Sequence, residues 1–181
     1  MQKLFRMQKI MAWVYTAVAL AVFLYTLVFM TEYKDLFGLK LKQNSQISFF
    51  HDSVLQTFNR QIFMLALIGI VAVLFSFVLE IFSKVPDFLA LVVILAFLAG
   101  GIAGAVYAIT NIQAVEAFYR GLDIQYLHLE GLTDYVHKFT TFRVGMGVYL
   151  LQIASCAAYG AVILMSHITF KKRCKGAHEH E

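Results

Sequence analysis

The chain has 181 residues, of which 60% are hydrophobic and 14% charged, and its formal net charge at pH 7 is +4. Its mean hydropathy is +0.72, whereas a soluble domain is about half apolar and about one quarter charged. This composition, with one proline and two cysteines, excludes a disordered chain, a collagen-like chain and a disulfide scaffold. It predicts an integral membrane protein.

Four apolar stretches are long enough to cross a bilayer, whose hydrocarbon core of about 30 Å needs roughly 20 helical residues. These stretches are residues 10–30, 61–83, 88–110 and 144–170. Each is apolar around its whole circumference, whereas membrane-spanning strands are about ten residues long and alternate apolar with polar side chains. We therefore predict an all-α membrane protein, a single domain over residues 1–181, whose four transmembrane helices form an antiparallel bundle.

The first stretch resembles a secretory signal peptide at its start, because Lys3, Arg6 and Lys9 precede it. Its apolar run continues without interruption to Met30, which is longer than the roughly 7–15 apolar residues of a cleaved signal. We interpret this stretch as an uncleaved signal anchor and the first transmembrane helix.

The charge distribution predicts the orientation of the bundle. The two tails and the short turn at residues 84–87, with Glu80 just before it, hold eight of the 15 basic and four of the 11 acidic residues, which leaves seven of each for the two longer loops. Since short cytoplasmic flanks are enriched in Lys and Arg, both termini are predicted to be cytoplasmic. Trp13 and Tyr15 near that side fit an interfacial aromatic belt. No Asn-x-Ser/Thr sequon occurs, which favours a bacterial inner membrane.

The two outer loops, residues 31–60 and 111–143, contain apolar residues at helical spacing. They predict helical extensions that form a cap on the outer face, because long structureless loops are uncommon in so compact a chain. A small cap cannot bury all of its large aromatic side chains, so we expect it to offer surface to a partner. These aromatic residues are Phe49, Phe50, Phe58, Phe118, Tyr119, Tyr126 and Tyr135.

Small residues are concentrated in the third and fourth stretches, and lipid-embedded helices use such residues to approach one another closely. The glycines singled out for helix packing are Gly100, Gly101, Gly104, Gly145, Gly147 and Gly160. Two interpretations remain open. They pack the helices of one bundle together, or they form a seam between subunits or a thin pore wall.

Polar residues within the spans are few and therefore informative. Gln152, Ser155 and Tyr159 follow each other at i, i+3 and i+7, so they share one face of the fourth helix. One interpretation is a polar path that ends near Glu80, and the other is hydrogen bonding between helices. Glu80 also suits an ion pair with Lys84 at i, i+4.

The outer loops contain weak candidates for metal ligands, namely His51, His128, Asp134 and His137. A zinc site needs three or four converging ligands, and neither an HExxH nor a CxxC spacing occurs. Nucleotide-loop, dinucleotide and hydrolase motifs are also missing from the sequence. We expect no metal and no cofactor, and a non-enzymatic protein rather than an enzyme.

Three functional hypotheses follow. The favoured one is a subunit or scaffold of a membrane complex, which contacts the lipid bilayer and assembles as a homo-oligomer or with another membrane subunit through small-residue faces and the outer cap. The alternative is a small transporter or channel along Gln152, Ser155 and Tyr159. The second alternative is a metal-dependent membrane enzyme using the loop histidines. The scattered cations do not indicate nucleic-acid binding.

Overall fold

Four long α-helices make up nearly all of the described chain. The structure, a computed structural model, describes residues 2–30, 46, 49–82, 88–122 and 139–178. The helices are α1 (Gln2–Met30), α2 (Gln56–Phe82), α3 (Phe88–Arg120) and α4 (Thr140–His178), and a π-helical segment, Phe50–Leu55, leads directly into α2. Within these ranges no strand occurs, and the predicted all-α class is confirmed.

All four helices are long and apolar enough to cross a membrane. The stretches that meet this requirement are Lys3–Leu27, Asp52–Leu79, Phe88–Arg120 and Thr140–Lys172. They correspond to the four predicted spans and indicate a multi-pass membrane protein. The cytoplasmic position of the termini and the bacterial inner membrane stay predictions.

On each helix, the residues that face neighbouring helices form one stripe. They recur mostly at steps of three and four residues. The buried stripe of α1 is Gln8, Ala12, Tyr15, Ala19 and Val22. The stripe of α3 is Leu91, Ile94, Leu98, Ala105, Ala108, Ile112, Val115 and Tyr119. This spacing is typical of helices that cross at a small angle and pack side by side in bundles.

The helices are arranged as a ring with one loose side. α1 packs against both α2 and α4, and α3 packs against α4, whereas α2 and α3 make the least extensive contact among the four neighbouring pairs. Tyr15 stacks on Tyr159 with ring centroids 5.6 Å apart, and Tyr25 meets Tyr149 edge-on at 6.0 Å. Residue numbers therefore rise along α1 as they fall along α4, so these two helices run in opposite directions. The antiparallel arrangement of the whole bundle stays a prediction.

Gly145 of α4 lies against side chains of both α1 and α3. The phenol of Tyr25 lies directly against this glycine, so that a Cβ atom there would overlap it and crowd the side chain of Ile112. The Tyr25 hydroxyl donates a hydrogen bond of 3.2 Å to the carbonyl of Thr141. The missing side chain at Gly145 thus provides the space in which this tyrosine sits.

Aromatic rings fill the end of the bundle where the predicted cap begins. Tyr119 is fully buried, and its ring lies 5.5 Å from that of Phe50 and 5.6 Å from that of Phe142. Of the aromatic residues predicted for the cap, Phe49 and Phe118 keep 54% and 41% of their surface exposed. The cap as a whole stays a prediction, because residues 31–45, 47–48 and 123–138, which include Tyr126 and Tyr135, lie outside the described residues.

The predicted aromatic belt is wrong for Tyr15. This residue is 3% exposed and stacks on Tyr159 inside the bundle, whereas Trp13 is 64% exposed. The two residues are two positions apart near the middle of α1 but lie on different faces, because each residue advances about 100° around a helix.

We predict that Gly145→Ala destabilises the bundle, because its new methyl group collides with the buried Tyr25 ring. The expected loss in the free energy of unfolding is about 1–3 kcal/mol, as for other overpacked cores. Thermal unfolding in detergent, followed by circular dichroism, measures it. Gly147→Ala is the matched control, since an added Cβ there meets nothing within 4 Å. Equal melting temperatures for the two variants would contradict the prediction.

Candidate functional site

The loose side of the ring encloses a cavity between α2 and α3. These helices touch near one end through Phe75 and Phe97, whose rings meet edge-on at 5.9 Å. Toward the other end the hydroxyl of Tyr107 donates a 3.0 Å hydrogen bond to Oε1 of Gln61. Between these two contacts lies a cavity of about 170 Å³.

Glycine and alanine form most of the cavity wall. Those on the two facing helices include Gly69 and Ala72 of α2, with Gly100, Gly104 and Ala105 of α3. A Cβ atom placed on any of these three glycines would meet no other atom within 4 Å. The cavity therefore exists because small residues face each other across a gap that the two helices do not close.

The cavity opens on the surface that lipid would cover. Leu65 and Ile68 of α2 line it and are 39% and 62% exposed. Ala96 and Gly100 of α3 also line it and are exposed. Since Ile68 and Gly100 lie well inside the apolar stretches that could cross a membrane, we expect the opening to face the interior of the bilayer.

Two polar side chains of α4 reach the cavity from the bundle interior. Tyr149 and Gln152 line it although they are only 4% and 8% exposed. The Tyr149 hydroxyl and Oε1 of Gln152 have no hydrogen-bond partner in the described part of the chain. Buried polar groups in native proteins are nearly always paired, so two side chains that line one cavity and each carry an unpaired atom make it a candidate place for a hydrogen-bonding occupant.

Local packing holds these two side chains in position. The Tyr149 ring is fixed by its edge-on contact with Tyr25. Gly101 of α3 leaves room for Gln152, because a Cβ there would lie 3.2 Å from Sγ of Cys156 and 3.6 Å from Nε2 of Gln152. A residue with a side chain in place of Gly101 would therefore crowd Cys156, which follows Gln152 by about one turn of α4.

Of the predicted polar path, only Gln152 lines the cavity. Ser155 is buried, and its hydroxyl donates a 2.9 Å hydrogen bond to the carbonyl of Gln152. Tyr159 is 1% exposed and stacks on Tyr15. All three α4 residues thus face the bundle interior, but Ser155 and Tyr159 do not contribute to the cavity wall. The side chain of Glu80 lies outside the described residues.

The six predicted packing glycines occupy two kinds of environment. Gly100, Gly101 and Gly104 line the cavity. Gly145 lies against Tyr25, and a Cβ on Gly160 would lie 3.5 Å from Cδ1 of Leu98, so both pack inside the bundle. Gly147 is exposed, with open space around it.

The weak metal candidates do not define a site. His128, Asp134, His137 and the side chain of His51 lie outside the described residues. Within the described ranges no three His, Cys, Asp or Glu side chains lie close enough to hold a metal ion. The expectation that the protein binds neither metal nor cofactor stays a prediction.

Sequence reasoning missed Tyr149, Gly69 and Asn59. Tyr149 precedes Gln152 by three residues, so the i, i+3 spacing that joined Gln152 to Ser155 would have placed it on the same face. Gly69 is isolated in α2 and has no spacing signal. Asn59 is fully buried, with both amide atoms unpaired among the described residues, but its position just before the second predicted span suggested a loop.

Comparison with family models, curated proteins and solved structures found no match for this chain. The interpretation of the cavity therefore depends on its own geometry. That geometry is a mainly apolar pocket rich in glycine and alanine, open toward lipid, whose wall includes two α4 side chains with polar atoms unpaired among the described residues.

The unpaired hydroxyl of Tyr149 leads to a stability prediction. Tyr149→Phe is expected to leave the melting temperature of the purified protein unchanged or to raise it, because no hydrogen bond is lost. Tyr25→Phe is the matched control. It removes the bond to the Thr141 carbonyl and is expected to cost about 1 kcal/mol. A larger destabilisation by Tyr149→Phe than by Tyr25→Phe would show that the Tyr149 hydroxyl has a partner.

Proposed function

We propose that the protein is a non-enzymatic subunit of a membrane complex and that a second copy of the same chain is its first partner. The observation that supports this is a stripe of small residues on the exposed side of α4. The stripe consists of Gly147, Ala154, Ala158 and Ala161, all exposed. Steps of seven, four and three residues keep these positions on one helix face.

Close packing of small residues is a main way in which helices associate in lipid, because burial of apolar surface gives no advantage there. The closest approach requires small residues on both helices, and a second copy supplies the same stripe in a symmetric pair. Gly145 and Gly160 of α4 pack against helices of the same bundle, whereas Gly147 has no atom within 4 Å of its Cβ position. Among the described residues nothing covers Gly147 on the outward face of α4, so another helix can approach it there.

Exposed aromatic side chains beyond the apolar core give further support. Phe49 and Phe118 lie with ring centroids 6.0 Å apart and are 54% and 41% exposed. Phenylalanine is enriched at protein interfaces relative to the rest of the surface. This pair, near the predicted cap, offers a second contact for a complex.

Dimer formation is the first test of this proposal. Native mass spectrometry in mild detergent is expected to show a dimer for the natural sequence. Combined Ala154→Leu and Ala158→Leu substitutions hold the helices apart and shift the population to monomer. Ala21→Leu, at an exposed position of α1, is the control and leaves the dimer intact. A natural protein that is monomeric and partner-free, or a dimer that survives the α4 substitutions, contradicts the proposal.

The second candidate function is a small transporter, which the unpaired Oε1 of Gln152 and the buried, unpaired Oγ of Ser166 on α4 favour. Both atoms suit a hydrated path along this helix. Proton flux into liposomes, followed with an enclosed pH dye, measures it. Gln152→Leu is expected to reduce the flux about tenfold if one hydrogen-bonding site is lost. Flux equal to that of empty liposomes, or indifferent to Gln152, rejects this candidate.

A further inference from the structure

We propose that the cavity between α2 and α3 is a binding site for an uncharged, lipid-soluble phenol or cyclic alcohol. This inference uses a different surface from the α4 stripe and does not depend on the proposed assembly. Three properties of the cavity define the ligand: its unpaired polar atoms, the uncharged character of its wall and its size.

The two unpaired atoms select a hydroxyl group. Oε1 of Gln152 is only an acceptor, so the ligand must donate a hydrogen bond to it. The Tyr149 hydroxyl donates as well as accepts, so the same ligand oxygen can accept from it. A hydroxyl is therefore a single group that can serve both kinds of atom, since it donates and accepts. A quinone or ketone carbonyl would leave the Gln152 oxygen unpaired, and a hydrocarbon would leave both atoms unpaired.

The wall requires an uncharged ligand. Among its residues only Tyr15, Tyr149 and Gln152 have polar side chains, and none of the three is a carboxylic acid or an amine. An ion moved from water into such surroundings would lose its hydration without a compensating charge. Fatty acids and lipid phosphates are therefore disfavoured.

The volume corresponds to one ring. The cavity measures about 170 Å³, and an engineered apolar cavity of about 150 Å³ in another protein accepts benzene. A six-membered ring bearing a hydroxyl thus fits between the glycines of α3 and the polar atoms of α4. A hydrocarbon tail would leave through the opening beside Ile68 and Gly100 and lie in the lipid.

Water alone fits this cavity poorly. A buried water molecule typically makes about three hydrogen bonds, whereas the side chains of the described wall carry two unpaired atoms, both on α4. Apart from Tyr15, the remaining wall is alanine, glycine and apolar side chains. An amphiphile with its hydroxyl against the two α4 side chains and its ring along the apolar wall matches this division.

The test uses 4-octylphenol as the probe, with the full chain in lipid nanodiscs and empty nanodiscs as the background. Equilibrium dialysis is expected to give saturable binding with one site per chain. The methyl ether 4-octylanisole has the same shape but cannot donate a hydrogen bond. It is expected to bind at least about fivefold more weakly, since one buried acceptor stays unpaired.

Variants of the wall separate the cavity from general lipid partition. Gly104→Leu fills the open space above this glycine and is expected to abolish saturable binding. Ala103→Leu is the matched control, because its side chain is exposed and outside the cavity wall. Gln152→Leu is expected to weaken the binding of 4-octylphenol to the level of the ether. Binding of the ether itself is expected to stay unchanged or to become tighter. Circular dichroism and thermal unfolding check that each variant is folded.

Three results would overturn the proposal. The first is the absence of saturable 4-octylphenol binding to the natural sequence, as expected of a cavity that holds only water or lipid tails. The second is equal affinity for the phenol and its ether. The third is binding to Gly104→Leu that equals binding to Ala103→Leu. If Gly104→Leu does not fold, Gln152→Leu serves as the test instead. A 4-octylphenol affinity of the Gln152→Leu variant equal to that of the natural sequence then rejects the site.

Discussion

Helices that are surrounded by hydrocarbon are not driven together by the hydrophobic effect, and the packing of this bundle depends on that constraint. Apolar surface gains nothing by leaving lipid for protein, so close packing and polar contacts decide which faces meet. In this chain α4 supplies much of that packing. Gly145 receives the Tyr25 ring of α1, and Gly160 lies close to Leu98 of α3. Glycines of α4 thus provide close contacts to both of its neighbours in the ring.

The cavity has the same origin as the tight contacts. Gly69 of α2 and Gly100 and Gly104 of α3 are the kind of residues that draw helices together. Here they remain apart, because the Phe75–Phe97 and Tyr107–Gln61 contacts place larger side chains between the two helices on either side of them. The larger side chains thus hold the two helices apart, and the small residues between them border a cavity instead of packing against each other.

Length and apolar composition were sufficient to predict the four helices and the all-α class, because a membrane span has a minimum length. They were not sufficient to predict which face of each helix is buried, since each helix is apolar all round. Gly145 and Gly147 illustrate the limit. They look equivalent in sequence, yet two residues correspond to about 200° around a helix, and only Gly145 is packed against a neighbour. Tyr15 was misplaced for the same reason.

Polarity was the better guide to the candidate site, but only for residues that are polar by type. Gln152 was predicted because an amide within a span is unusual. Tyr149 was overlooked because tyrosine is common near membrane interfaces, and its unpaired hydroxyl becomes evident only when the surrounding helices are in place. The cavity itself was not predictable, because it results from the relative position of α2 and α3, which no local spacing specifies.

Stability does not readily explain why Tyr149 and Gln152, which line the cavity, carry unpaired polar atoms. An unpaired buried hydroxyl or amide oxygen costs about 1–3 kcal/mol relative to a paired one, and phenylalanine at 149 with leucine at 152 would avoid that cost with similar volumes. Packing alone therefore does not account for this pair of residues. The described helices also separate the two surfaces to which we assign roles, because α4 packs against α1 and α3 and makes no backbone contact with α2. A partner on the outward face of α4 would leave the opening between α2 and α3 facing lipid, so assembly and ligand entry are compatible in one molecule.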